Sequence, residues 1–290
     1  MRILAGLLAA VMLLCSGCAR SVPETASMEA SSSGAISSGS FSESGPALAP
    51  EPEPESIPKL ESETEPPKPE PEQEPVLPLD GRIICVDPGH CITPLVSKGY
   101  KQPVSPLSDE QKSMYGRGTQ GAHLSEVELN LIVGLKLRDA LEALGAEVVM
   151  TREVSELTIS LIERCEIADK AGADVKVSIH ADGNNDHSLH GVSVLVPAAE
   201  LLGTPEIREE SVRLGELMVD AVAEETGAHN RGTKARKDLT GFNFSTVPTV
   251  LIEMGFMTNP EEETLLATEE YQDKIVTGMV NSLLEWYGAD

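Results

Sequence analysis

From Ile83 onward the chain alternates between short β-prone apolar runs and longer stretches with helical spacing, and this alternation limits the fold more than any other feature. Residues 83–87, 146–150, 175–179, 192–196 and 249–253 predict strands, with a weaker strand expected at 239–242. Helices are predicted at 125–144, 157–171, 205–226, 260–267 and 269–286. The first of these carries a capping box: Ser125 is the N-cap and Glu128 reaches back. Leu129, Ile132, Leu135, Leu137, Leu141 and Leu144 then lie on or near one face, and Gly145 ends the helix. Strands separated by helices specify an α/β fold. We expect one three-layer domain over 81–290, with a mostly parallel or mixed twisted sheet of about six strands and helices on both faces.

Nothing before residue 81 has this character. Arg2 is the only charge ahead of Arg20, and residues 3–14 are continuously small or apolar. That run is too short to span a bilayer, which takes about 20 residues, but it suits a secretory signal. Leu14-Cys15-Ser16-Gly17-Cys18 follows and resembles a bacterial lipobox, with Cys18 as the residue to be lipidated. Residues 1–18 are therefore expected to form a lipoprotein signal peptide. Residues 19–80 turn first to Ser and Gly, then to Glu and Pro, a composition that builds no core and suits an extended tether. Together they predict an extracytoplasmic, monomeric domain held at a distance from the membrane through Cys18.

The net charge of −25 is distributed over both the tether and the folded region. Such an acidic chain repels phosphate backbones, which disfavours nucleic-acid binding. Of the five cysteines, Cys15 and Cys18 lie in the leader. Cys85, Cys91 and Cys165 match neither a zinc-finger spacing nor a disulfide framework. Cys85 and Cys165 read as small buried hydrophobes, whereas Cys91 directly follows a histidine of interest.

That histidine is His90, at the end of Ile83-Ile84-Cys85-Val86-Asp87-Pro88-Gly89-His90. His180 ends a second predicted strand and Glu253 a third. In open α/β sheets, ligands bind beyond the carboxyl ends of the strands, where residues distant in sequence converge. Glu126, at the start of the first helix, is placed to reach the same edge. Two imidazoles and a carboxylate suit a catalytic zinc ion, and a further carboxylate off the metal suits proton transfer during hydrolysis.

The ordered motifs resemble those of the zinc-dependent N-acetylmuramoyl-L-alanine amidases of bacterial cell walls, sometimes called amidase 3. They are Asp87-Pro88-Gly89-His90, Glu126-Val127-Glu128-Leu129-Asn130-Leu131, Thr151-Arg152, Ser178-Ile179-His180-Ala181-Asp182 and Leu251-Ile252-Glu253-Met254-Gly255-Phe256-Met257-Thr258-Asn259. The resemblance implies one Zn2+ per catalytic domain, held by His90, Glu126 and His180, with Glu253 as the catalytic general base. It also implies a peptidoglycan hydrolase that cuts the amide between the N-acetylmuramic acid lactyl group and L-alanine. Cys91 stands where the family usually has Gly, and Asp182 where it usually has Asn.

Other residues have plainer readings. Glu128 is explained by capping, while His123, His187 and His190 suit exposed loops. Arg152 and Arg164 suit scaffold roles. Residues 231–237 form a basic loop that either meets substrate carboxylates or is simply solvated. Residues 91–124 form a loop long enough to cover the site or wall its groove. Two other functions fit parts of this pattern: a zinc peptidase or deacylase acting on another wall bond, and a non-catalytic peptidoglycan-binding protein. The absence of His-Glu-x-x-His weighs against common zinc peptidases.

Overall fold

The computed structural model describes residues 76–289. The expected signal peptide, Cys18 and the tether up to residue 75 lie outside the described residues. In chain order the elements are β1 (Ile83–Pro88), β2 (Lys101–Ser105), β3 (Ser108–Ser113), α1 (Glu126–Ala143), β4 (Glu147–Met150), α2 (Leu161–Ala171) and β5 (Val175–Asp182). These are followed by β6 (Val192–Pro197), α3 (Ile207–Thr226), β7 (Asn230–Arg236), α4 (Thr240–Asn243), β8 (Thr249–Phe256), α5 (Pro260–Leu266) and α6 (Glu269–Tyr287).

Six strands form the main sheet in the order β4-β1-β5-β8-β6-β7. The first four are mutually parallel. β6 runs antiparallel to β8, and β7 parallels β6, so the sheet is mixed. Alternation along each strand divides the side chains between two layers. Ile84 and Val86 join Val177, Ile179, Val250 and Ile252 in a core with Leu137 of α1, Leu214 of α3 and Met279 of α6. On the opposite face Cys85 packs with Ala168 of α2. Three parallel strands, β1, β5 and β8, thus bring their carboxyl ends to one edge.

The expected strand count is met, but one strand lies elsewhere in sequence. The basic residues 230–236 form edge strand β7, whereas the region expected to contain a weak strand holds the short helix α4. An edge strand with one neighbour needs no continuous apolar face, so charge conceals β7 from a pattern search. In α4, Phe242 is buried, and Asn243 donates from Nδ2 to the carbonyls of Val104 (3.0 Å) and Lys237 (2.8 Å). The helix expected from 157 starts at Leu161. Ser160 caps it, accepting from Glu163 N–H at 3.2 Å while Glu163 accepts from Ser160 N–H at 2.7 Å. The 205–226 helix starts at Ile207.

The long loop also contains order. A 3-10 turn, Pro94–Lys98, precedes the antiparallel β2–β3 hairpin. The hairpin is pinned to the domain: Thr240 Oγ1 donates to Pro103 O at 3.1 Å, and Lys112 Nζ to Asp238 O at 2.7 Å. Lys112 and Ser113 of the hairpin line the same cavity as His90 and His180.

Packing begins slightly before residue 81. Leu79 is fully buried in the main core, and its N–H donates to Leu144 O at 2.9 Å. Leu79→Ala is expected to cost about 2–5 kcal/mol, the range for deleting a buried leucine side chain. Denaturant unfolding of the domain checks this, and an unchanged midpoint would place the start of the cooperative fold later.

Candidate metal centre

His90 reaches the sheet edge through a strained turn. Its backbone has φ 58, in the left-handed region that non-glycine residues seldom occupy. The preceding residue must be small: a Cβ on Gly89 would come within 2.3 Å of the His180 ring. Two buried arginines secure this turn. Arg152 donates to the carbonyls of Pro88 (2.9 Å), Gly89 (2.8 Å) and Val127 (2.8 Å). Arg164 donates to those of Pro88 (2.8 Å) and His90 (2.7 Å). Both arginines therefore have the scaffold role expected from sequence.

Asp87 completes this support. Arg164 Nη1 meets its Oδ1 at 2.5 Å, Thr151 Oγ1 donates to Oδ1 at 2.6 Å, and Ser178 Oγ donates to Oδ2 at 2.7 Å. Burial alone would raise the Asp87 pKa. The nearby Arg164 and Lys176 charges, with the Thr151 and Ser178 hydrogen bonds, instead hold it well below the usual carboxylate range.

At the end of this support, His90, Glu126 and His180 converge, with one potential ligand atom from each lying within 4.8 Å of the others. Glu126 Oε1 is 3.2 Å from His90 Nε2 and 2.9 Å from His180 Nδ1. Burial opposes ionisation of Glu126, but its hydrogen bonds and charge interactions with His180 and His90 prevail and hold its pKa well below the ordinary range. Burial shifts His180 downward, which favours the neutral imidazole that a metal ligand requires.

The loop after β3 supplies the surrounding groups. Gly116 O lies 3.1 Å from His90 Nδ1, which favours a proton on Nδ1 and leaves Nε2 as the acceptor. Thr119 N–H donates to Glu126 Oε2 at 2.6 Å. Sequence patterns did not identify these backbone groups; the length of the loop was the only signal.

Glu253 pairs with His180 in the β5–β8 register. Its Oε2 is buried without a hydrogen-bond partner among the described residues. Burial, followed by the negative charges of Glu126 and Asp182, raises its pKa well above the ordinary range, against the weaker pull of Lys234 and Arg236. A buried carboxyl oxygen without a partner is costly unless another group uses it.

The remaining candidates separate clearly. Glu128 is exposed and completes the Ser125 capping box. His123, His187 and His190 are exposed, with His123 Nδ1 held 2.6 Å from Glu263 Oε2. Cys91 is buried and is not one of the convergent donors. It lines a cavity of about 320 Å³ beside His90 and His180. Cys85 and Cys165 are buried, but Cys165 is more than apolar filling because Lys176 Nζ lies 3.3 Å from its sulfur.

The arrangement fits a single divalent cation. Tetrahedral zinc with nitrogen and oxygen ligands places donor atoms roughly 3.4 Å apart, close to the contacts around Glu126. The donor set is two imidazoles and one carboxylate, and the unpartnered Glu253 stands beside it.

Comparison with known proteins points the same way. The chain is 25% identical over 206 residues to N-acetylmuramoyl-L-alanine amidase Rv3717 of Mycobacterium tuberculosis, covering 70% of this chain and 85% of that relative. It is 28% identical over 210 residues to N-acetylmuramoyl-L-alanine amidase LytC of Bacillus subtilis, covering 72% of this chain and 36% of that one. The crystal structure of the amidase Ami1 from Mycobacterium smegmatis matches with a TM-score of 0.66 and 27% identity, covering 73% of this chain and 99% of that chain. The family described as N-acetylmuramoyl-L-alanine amidase matches residues 84–285, and on that match this chain belongs to it.

Proposed function

We propose that this protein is a zinc-dependent peptidoglycan hydrolase that cleaves the amide between the N-acetylmuramic acid lactyl group and L-alanine. The convergence of His90, Glu126 and His180 beside the unpartnered Glu253 carries this reading. His90, Glu126 and His180 would hold Zn2+. When bound, the ion supplies Lewis acidity toward an amide carbonyl and toward water.

The protein groups divide the remaining work. Arg152 and Arg164 keep the His90 turn in place, while Gly116 O and Thr119 N–H orient His90 and Glu126. Glu253 accepts a proton from the attacking water and returns it to the departing alanine nitrogen. The carbon–nitrogen bond breaks, giving a lactyl carboxylate and an amine at the new peptide terminus. Mass spectrometry of digested wall tests this reading. Stem peptides beginning with L-alanine are expected, and cleavage elsewhere in the stem would support a peptidase instead.

For the remainder of the chain, we propose a signal peptide over 1–18, lipidation at Cys18 and a tether ahead of the catalytic domain. The protein would work outside the cytoplasm as a membrane-anchored monomer. Among the described residues, no helix is long and apolar enough to cross a membrane, so this form of attachment rests on the leader sequence. Metabolic labelling with a fatty-acid analogue, lost in Cys18→Ala, checks it.

The zinc reading makes a local prediction. Gly118 has φ 72, and a Cβ there would come within 2.8 Å of Glu126 Oε2 and 3.0 Å of His90 Cδ2. Gly118→Ala is expected to weaken zinc retention by about 10–100-fold, the range for disturbing groups around a metal ligand. Competition with a chromogenic chelator reads this without using activity, and unchanged retention would reject the constraint.

A further inference from the structure

The turn between β3 and α1 offers Gly116 O to His90 and Thr119 N–H to Glu126, so the way it is seated bears on two of the three candidate ligands. Within residues 116–125 the backbone is closed locally. Gly121 N–H donates to Leu124 O at 3.0 Å, and Gln120 pairs with Ser125 in an isolated antiparallel bridge. Glu126 N–H in turn donates to Thr119 O at 2.9 Å. These bonds give the turn a shape without fastening it to the sheet.

His123 supplies the fastening. Its backbone N–H donates to Glu263 Oε1 at 2.7 Å, and its Nδ1–H donates to Glu263 Oε2 at 2.6 Å. A carboxylate only accepts, which places the imidazole proton on Nδ1. The fit is close: a Cβ on Gly121 would come within 2.8 Å of Glu263 Oε1. Among the described residues, the other hydrogen-bonded contacts of 116–125 end within the turn, on α1 or on His90. Glu263 is therefore where the turn is tied to the rest of the domain.

That anchor is itself well held. Beside it on α5, Glu262 accepts from the N–H groups of Gly191 and Phe256, both at 2.8 Å. Met257 N–H donates to Asp182 O at 2.9 Å, two residues beyond His180. The start of α5 is thus fastened to the ends of β5 and β8, which carry His180 and Glu253. Through His123, the turn that orients Glu126 is referred to the same frame.

We propose that His123 is a positioning residue for the metal centre. By gripping Glu263 it fixes the turn so that Thr119 N–H holds Glu126 Oε2 and Oε1 faces the two imidazoles. This inference rests on the metal reading above and extends it to a residue outside the convergent donor set.

His123 is the accessible half of the clamp, with its side chain 56% exposed against 7% for Glu263, so replacing it opens no cavity in the core. His123→Ala should weaken zinc affinity about tenfold, the low end of the range for groups that orient a metal ligand. Competition with a chromogenic chelator reads this, and the visible absorption of the Co2+-loaded protein should shift as well. The unfolding midpoint of the metal-free protein should change little. His123→Asn, whose Nδ2–H stands in for the imidazole Nδ1–H, should restore both metal readouts. Unchanged zinc affinity in His123→Ala, or a loss that His123→Asn does not recover, would overturn the clamp. A lowered midpoint with an unshifted Co2+ spectrum would overturn it too, by showing a purely structural role. Failure of the unsubstituted protein to take up zinc would instead overturn the metal reading, and the clamp with it.

Discussion

Glu253→Gln is expected to retain bound zinc and lose about 10²–10⁴-fold in turnover, the range associated with a positioned general base. Glutamine preserves the shape of the side chain, but its amide does not accept and return the proton as a carboxylate does. The substitution also removes an ionisable group from a half-buried position where burial, Glu126 and Asp182 already oppose ionisation. A second effect follows in the metal-free protein. The folded pKa of Glu253 lies above its unfolded value, so the native state retains a proton that the unfolded chain has released. Stability therefore falls as pH rises from the unfolded value toward the folded one. The glutamine variant should lose that slope. Metal content by emission spectroscopy, turnover and melting against pH test the three effects. Near-parent turnover with zinc bound would assign proton transfer to another group.

The largest structural effect is expected at Arg164. Arg164→Met leaves Asp87 buried with its closest opposite charge removed, and should cost about 3–5 kcal/mol. For a domain of this size, that corresponds to a melting decrease of about 6–20 °C. The pair also has a defined pH signature. Asp87 is held below its unfolded pKa, so its contribution is present above that unfolded value and disappears as pH falls through the folded value. Asp87→Asn combined with Arg164→Met should be less damaging than the sum of the single substitutions, because neither charge is then stranded. Additive losses would show that the two side chains do not act as a pair. Zinc retention should also fall in Arg164→Met, since Arg164 donates to the carbonyl of His90.

The fold was legible where burial imposes a period. Val192 to Val196 is a continuous run of apolar and small residues, Val175 to Ile179 is one interrupted by the buried Lys176, and both stretches are buried on both faces. β7 was obscured because Lys234 and Arg236 sit on an edge strand, where charge is tolerated. Ser160 and Glu163 were a second capping box available in the sequence, yet the apolar spacing drew the expected helix too far toward its N-terminus. At the candidate site, the convergence of His90, Glu126 and His180 was anticipated from element ends and motif order. Gly116 O and Thr119 N–H were not, because a backbone group has no residue signature. The join between Asp87 and Arg164 was equally hidden: 77 positions separate them, and only the folded sheet brings α2 beneath the end of β1.

The burial of Leu79 has a mechanical consequence. The chain enters β1 at its amino end, while His90 follows its carboxyl end, so six strand residues separate the entry from the site. β1 lies between β4 and β5 and parallels both. A pull on the chain ahead of Leu79, directed along β1, loads both hydrogen-bond ladders in shear and shares the force among many bonds. Tension applied ahead of Leu79 would thus be dissipated in the sheet before it displaced the imidazole at the far edge.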